Sequence, residues 1–362
     1  MKKIILFVFS IYICLFSAFS LQVKENGSRL YQDALTYFDL KEYGKALSLS
    51  EEAVVQRKDF VQDEIKKLND AIEPKEVQKV GTKISEIKKI LEKREEWIAL
   101  KIIENYMNRK GDDFFQNDIN KMISYMESIK VFPEAQKLIG DIYKIEGEYS
   151  FAEYYYNEAL KSSNVLDIPD QRYEILYLLA ELCELQNDED GREKRLLGIL
   201  NEDNKYTDKS FVNAMLRTIR QDKEDSMEKF FKLYRAENYY MMNAYSLLAD
   251  FYSDKGDKEK ALGFYAIAVI TGFTKVYSVV QKRNINFEYE GVSSVLFEAS
   301  HYDDIVKWGT DNSIRNSSFN FTEACMKDED YIFSNKMLKV LAEYCPEEYY
   351  RKAAVLMLDK LN

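Results

Sequence analysis

The stretch from Tyr245 to Phe273 constrains the fold more than any other, because it carries two helical apolar stripes with a punctuated break between them. Tyr245, Leu248, Ala249 and Tyr252 recur at the spacing that lines one face of a helix. Ser253 to Asp257 interrupt the period: Gly256 suits a left-handed helix terminus, and Asp257 can accept the first backbone N–H groups of a new helix. Ala261, Leu262, Tyr265, Ala268 and Val269 then supply a second stripe. The expectation is two antiparallel helices joined by a short turn. Ala249, Ala261 and Ala268 are small enough to let backbones approach, while Tyr252 and Tyr265 fill the flanking space. Neither helix can bury its face alone, so a neighbour must stack on it.

Two further stretches repeat the spacing. Ala34, Tyr37, Ala46 and Ala53 do so in Gly27 to Val55, with a turn at Asp39 to Gly44. Gly140, Tyr143, Ala152, Tyr156 and Ala159 do so in Phe132 to Ser162. Gln171 to Leu200 keep a first helix with Leu176, Leu179, Ala180 and Cys183, and Ser210 to Tyr234 form a more decayed pair. Glu104, Gly140, Ala180, Met215 and Ala249 lie 36, 40, 35 and 34 residues apart, a shared period that predicts a stacked array. The unit resembles the tetratricopeptide repeat, whose eighth, twentieth and twenty-seventh positions are small; Phe273 stands where that family usually has Pro. The resemblance implies an all-α, right-handed solenoid of about seven to eight helix pairs that binds protein segments and performs no catalysis.

Between the first two copies the pattern departs. Phe60, Val61, Ile65, Leu68 and Ile72 continue the second helix until Pro74, and Val80, Ile84, Ile87 and Leu91 follow with heptad spacing. This predicts either a long helical hairpin projecting from the array or an amphipathic helix packed on it. Trp97, Ile98, Ile102 and Ile103 lead into a degenerate repeat turning at Gly111 and Asp112. Beyond Lys275, Gly291 to Trp308 read as a helix pair, Thr310 to Asn320 as a loop, and Lys336 to Leu361 as a last pair ending in a cap. The chain thus divides into a signal segment (1–20), a first repeat with hairpin and degenerate repeat (21–130), a central array (131–274) and degenerate C-terminal repeats (275–362).

Lys2 and Lys3 precede the apolar run Ile4 to Phe16, and Ala18 with Ser20 make a small-residue cleavage site before Leu21. A secretory signal peptide and a periplasmic protein are expected. The alternative is an uncleaved inner-membrane anchor, since Ile4 to Leu21 gives 18 largely apolar residues. The net charge of −11 argues against nucleic acid and anionic membrane surfaces, which are bound through Lys and Arg. Cys183, Cys325 and Cys345 show no C-x-x-C spacing and His301 is the single histidine, so no disulfide framework, metal site or cofactor is expected. No phosphate-binding, zinc-protease or nucleophile-elbow motif occurs, and the chain reads as a non-enzyme.

In the resembled family the inner face is lined by fixed first-helix positions. Carried over, they are Glu134, Lys137, Asp141 and Lys144; then Glu174, Tyr177, Glu181 and Glu184; then Asn243, Ser246, Asp250, Ser253 and Asp254. They predict an acidic groove for a basic segment of another protein, or a merely solvated face. Asp141 occupies the place of a carboxylate-clamping Asn, which speaks against carboxylate capture. The functional expectation is an adaptor within a cell-envelope machine: outer-membrane, cell-wall or periplasmic flagellar motor-associated. A chaperone-like binder of exported chains is the alternative.

Overall fold

A computed structural model of the protein describes residues 27–73, 83–109 and 119–361. The expected signal peptide with its cleavage site and the turn at Gly111 and Asp112 lie outside them. Every regular element among the described residues is helical. They fall into two compact units, divided between Leu182 and Cys183.

The first unit holds α1 (Ser28–Asp39), α2 (Tyr43–Ile72), α3 (Ile84–Lys93), α4 (Trp97–Arg109), α5 (Ile119–Ser128), α6 (Pro133–Ile145), α7 (Tyr149–Lys161) and most of α8 (Gln171–Leu185). The second holds α9 (Glu189–Leu200), α10 (Asn204–Thr207), α11 (Lys209–Arg220), α12 (Ser226–Leu233), α13 (Met242–Asp254) and α14 (Lys258–Arg283). It continues with α15 (Val292–Ala299), α16 (Asp303–Asp311), α17 (Ile314–Lys327), α18 (Tyr331–Tyr344) and α19 (Glu348–Leu361).

Among the described residues one turn recurs six times. Lys41, Glu95, Gly147, Asn187, Gly256 and Glu329 each end a helix in the left-handed region. The residue after each donates its N–H to the carbonyl five positions earlier: Glu42 to Tyr37, Glu96 to Leu91, Glu148 to Tyr143, Asp188 to Cys183, Asp257 to Tyr252 and Asp330 to Cys325, all at 2.8–2.9 Å. That bond satisfies a carbonyl the helix end would leave open. All six donors are acidic, and each carboxylate stands where the next helix presents the positive end of its dipole.

In the first unit the small residues sit where helices cross. Ala34 and Ala46 pack with Leu138 and Ile142, so α6 lies directly against α1 and α2. Ala152, Tyr156 and Ala159 pack with Ile175, Leu179 and Leu182 of α8, and Ala53 and Ala180 are buried too. At Gly140 even one extra carbon would lie 2.6 Å from the Tyr156 ring, so this crossing admits nothing larger. Two expectations change here. α2 runs 30 residues, continuing to Ile72 as its apolar period suggested, whereas α3 has ten, and its seam of Ile84, Ile87 and Leu91 is buried, as in the packed amphipathic helix and not the projecting hairpin. It packs with Val61, Ile65 and Leu68 of α2, with Ile103 of α4, and with Met122 and Met126 of α5. α2 overruns its partner by roughly four turns, and this overhang needs its own cover. The degenerate repeat supplies that cover and does not stand between the first and second clear copies, so order along the chain is not order of packing.

In the second unit α13 and α14 form the antiparallel pair expected from Tyr245 to Phe273, with Ala249, Ala261 and Ala268 buried. α14 runs unbroken through 274 and 275, where the sequence suggested a boundary. It is long and apolar enough to cross a membrane, yet 67% of its most apolar window is buried, as in a core helix. The expected loop from Thr310 to Asn320 is largely α17. Ser317 and Ser318 fall within that expected loop, but their hydroxyls, and that of Thr322 beyond it, donate to the carbonyls of Ser313, Ile314 and Ser318, four residues back. With its hydroxyl satisfied, Thr322 is wholly buried, as is Ser334 of α18. The two serve as small residues where other pairs use Ala. α17 therefore packs on α18, and α18 also pairs with α19, the last pair expected from Lys336 to Leu361, whose first helix starts earlier, at Tyr331.

Candidate functional site

In the first unit Lys137, Asp141, Glu174, Lys144 and Glu181 of the predicted inner face do come together, as partners of one another. Glu134 is buried and accepts the Asp167 backbone N–H at 2.7 Å; it faces the interior, and burial raises its carboxyl above the usual range. Its first-turn position points it at the loop after α7, so it leaves the candidate groove. Lys137 lies between Asp141 and Glu174, 2.9 Å from each. Burial works against its charge, but the two carboxylates outweigh that and hold its pKa above the ordinary value. Lys144 reaches Glu181 at 2.9 Å. α6 and α8 are thus strapped together by two lysines, and three of the predicted acids are largely neutralised. Glu184, in the second unit, meets Arg192 at 3.1 Å. Tyr177 is half-buried.

In the second unit Asn243 and Asp254 are exposed, whereas Asp250 is not free. It accepts from the Tyr265 hydroxyl and from Asn320 Nδ2 at 3.0 Å, and Ser246 Oγ lies 2.8 Å from Ser317 Oγ. Asn320 and Ser317 belong to α17, which covers this part of the predicted groove. The acids of the expected groove are thus held differently in each unit: in the first Lys137 and Lys144 pair with Asp141, Glu174 and Glu181, and in the second Asp250 and Ser246 bond to α17 while Asn243 and Asp254 stay exposed.

Sequence reasoning missed why those aspartates are there. Tyr156 donates to Asp141 Oδ1 at 2.7 Å, and Tyr265 makes the same bond to Asp250. Each tyrosine stands fifteen residues after its aspartate. Burial, and then the adjacent carboxylate, push both phenols well above their usual range, so both remain donors. The shared offset was the signal. Similar tyrosine-to-carboxylate bonds join Tyr252 to Glu193 and Tyr245 to buried Asp203.

His301 Nδ1 lies 3.0 Å from the Phe297 carbonyl at the end of α15. Cys183, Cys325 and Cys345 are buried free thiols, and burial pushes Cys325 and Cys345 upward. Among the described residues no cluster of three or more His, Cys, Asp or Glu is placed to hold a metal ion. A cavity of about 260 Å³ between α11 and α14 is lined by Tyr206, Val212, Leu216 and Phe264.

No family model matches the chain. It is similar to an uncharacterised protein of Treponema pallidum (strain Nichols), 29% identical over 335 residues, a match spanning 91% of this chain and 89% of the relative. A match of that extent reaches into both compact units.

Proposed function

We propose that the chain is a non-enzymatic protein-interaction scaffold, each unit a stretch of tetratricopeptide-like solenoid, acting in the periplasm on the assembly of a cell-envelope machine. The observation that carries this reading is the recurring turn: six copies of one backbone geometry, five of them seven residues after a small buried residue at 34, 140, 180, 249 and 322. Such a construction gives rigid helix surfaces whose residues vary freely while the crossings stay fixed, as partner recognition needs.

Cross-linking in intact cells, followed by affinity capture of the tagged chain, tests it. One stoichiometric complex of envelope proteins is expected; a broad population of exported clients would favour the chaperone-like role, and an empty capture would sink both. Export is tested by the intact mass of the envelope-fraction protein. A mature start at Leu21 is expected, and a retained Met1 would favour the membrane anchor.

A further inference from the structure

The first unit carries an aromatic surface that the groove does not include. Tyr143 of α6 stacks on Phe151 of α7, centroids 5.3 Å apart, and on Tyr155 at 5.6 Å; Tyr155 meets Tyr154 edge-on at 5.2 Å. Four rings form a short ladder whose two ends, Phe151 and Tyr154, are 55% and 58% exposed. Tyr143 also packs on the buried cluster of Ala152, Tyr156 and Ala159, but Phe151 and Tyr154 are not among the buried residues of α7 and leave their rings to solvent.

Three exposed carboxylates lie near Tyr143 of the ladder. Glu51 of α2 reaches it because α2 packs on α6, while Glu146 and Glu148 flank the turn after α6. Burial first, and then these three charges, raise the Tyr143 hydroxyl's pKa, which places their field on the ring. Among the described residues none of the three is ion-paired, unlike Asp141, Glu174 and Glu181. Exposed ring faces beside carboxylates that have no ion pair suit one chemistry: a cation whose plane stacks on an aromatic while its charge meets carboxylate. Nucleic acid and anionic lipid are repelled, and two copies of a chain with net charge −11 repel each other.

The geometry points to a docking surface for an arginine-bearing basic segment of another protein, formed by Tyr143, Phe151, Tyr154 and Tyr155 beside Glu51, Glu146 and Glu148. This rests on the scaffold reading and names the chemistry of one partner. The segment lays guanidinium groups over Phe151 and Tyr154, and the carboxylates steer its approach.

The test uses the full mature chain and a fluorescein-labelled hexa-arginine peptide. Phe151→Ala with Tyr154→Ala, which leaves net charge unchanged, should weaken binding by about fivefold or more. Glu51→Gln with Glu146→Gln and Glu148→Gln should weaken it and flatten its salt dependence. The control Glu237→Gln with Glu288→Gln and Glu290→Gln removes equal charge from exposed sites elsewhere and should leave affinity unchanged. Circular dichroism checks that each variant folds. Equal weakening by the control, or unchanged affinity in the aromatic variant, overturns the proposal. So does concentration-dependent self-association that the aromatic substitutions abolish, because the occupant would then be a second copy. If the complex captured by cross-linking still forms with the aromatic variant, this surface fails and the scaffold stands; if wild type captures none, the scaffold itself fails.

Discussion

The α6–α7 pair of the first unit and the α13–α14 pair of the second repeat the same construction with different surroundings. In both, a small residue lies at the crossing, Gly140 or Ala249, and the next residue is an aspartate bound by a tyrosine fifteen positions on. Around that latch they diverge. Asp141 also takes the Lys137 ammonium, whereas Asp250 takes the neutral amide of Asn320. The internal geometry of a pair is set by contacts within it. What its outer groups do depends on which helix lies next, and that varies along the chain.

The strongest break in this parallel is at the latch tyrosine. Tyr156 is wholly buried and Tyr265 nearly so, and truncating either to Ala should cost about 3–5 kcal/mol, read from denaturant midpoints. Gly140→Ala should destabilise despite alanine's better helix propensity, because its methyl meets a ring that Asp141 holds in place. In the Tyr156→Ala background the same change should become neutral or stabilising. Simple additivity of the two would show that the ring is not clamped.

A second contrast lies in the turns. Glu148 after α6 is exposed, while the equivalent Asp330 before α18 is 4% exposed, with Oδ2 lacking a hydrogen-bond partner. Burial first, then Asp328 and Asp222, push its pKa from an ordinary 3.8 to about 7, against the pull of Arg220. The native state keeps this proton up to about pH 7, whereas the unfolded chain loses it near 3.8. Stability from this residue is therefore complete below about pH 4 and falls as pH rises to about 7, by at most about 1.4 kcal/mol per pH unit. Asp330→Asn should remove that slope. A wild-type-like slope in the variant would assign it to other groups.

Removing only the hydroxyl sharpens the latch comparison. Tyr156→Phe leaves Asp141 its lysine and should cost about 1 kcal/mol; Tyr265→Phe leaves Asp250 only a neutral amide, so its cost should be about 1–3 kcal/mol. Equal losses would mean that the neighbouring groups contribute nothing to holding the carboxylate.

What could be read from the sequence follows the same division. Alanines at helical spacing announced the crossings, and Gly256 announced a turn. Lys41, Glu95, Asn187 and Glu329 make the same turn without glycine, because packing on both sides enforces a conformation such residues rarely choose. Thr322 and Ser334 do not stand out as crossing residues in the sequence, because a hydroxyl counts as polar until its own helix is seen to satisfy it. The heptad seam of α3 was legible as a helix, but its partners arrive from α4 and α5. Groove positions could be counted out by register. Their pairing could not, since Lys137 with Glu174 and Lys144 with Glu181 join residues 37 apart, a distance fixed only by packing.

The smallest expected effect isolates that strap. Lys144 corresponds in register to Ser253 of the second unit, so Lys144→Ser gives the first unit the second's residue there. Glu181 is about half exposed, and an ion pair of that kind is worth about 0.2–1 kcal/mol, so the denaturation midpoint should move slightly at low salt and hardly at all near 1 M. Binding is the more telling readout. Releasing Glu181 adds one uncompensated carboxylate to the α6–α8 face without touching the aromatic ladder. If that face recruits basic segments, hexa-arginine affinity should rise at low salt and the rise should survive Phe151→Ala with Tyr154→Ala. A gain that disappears with the aromatics would show that Glu181 only strengthens the field at the ladder, leaving the predicted groove a solvated face and the ladder the place where a partner is held.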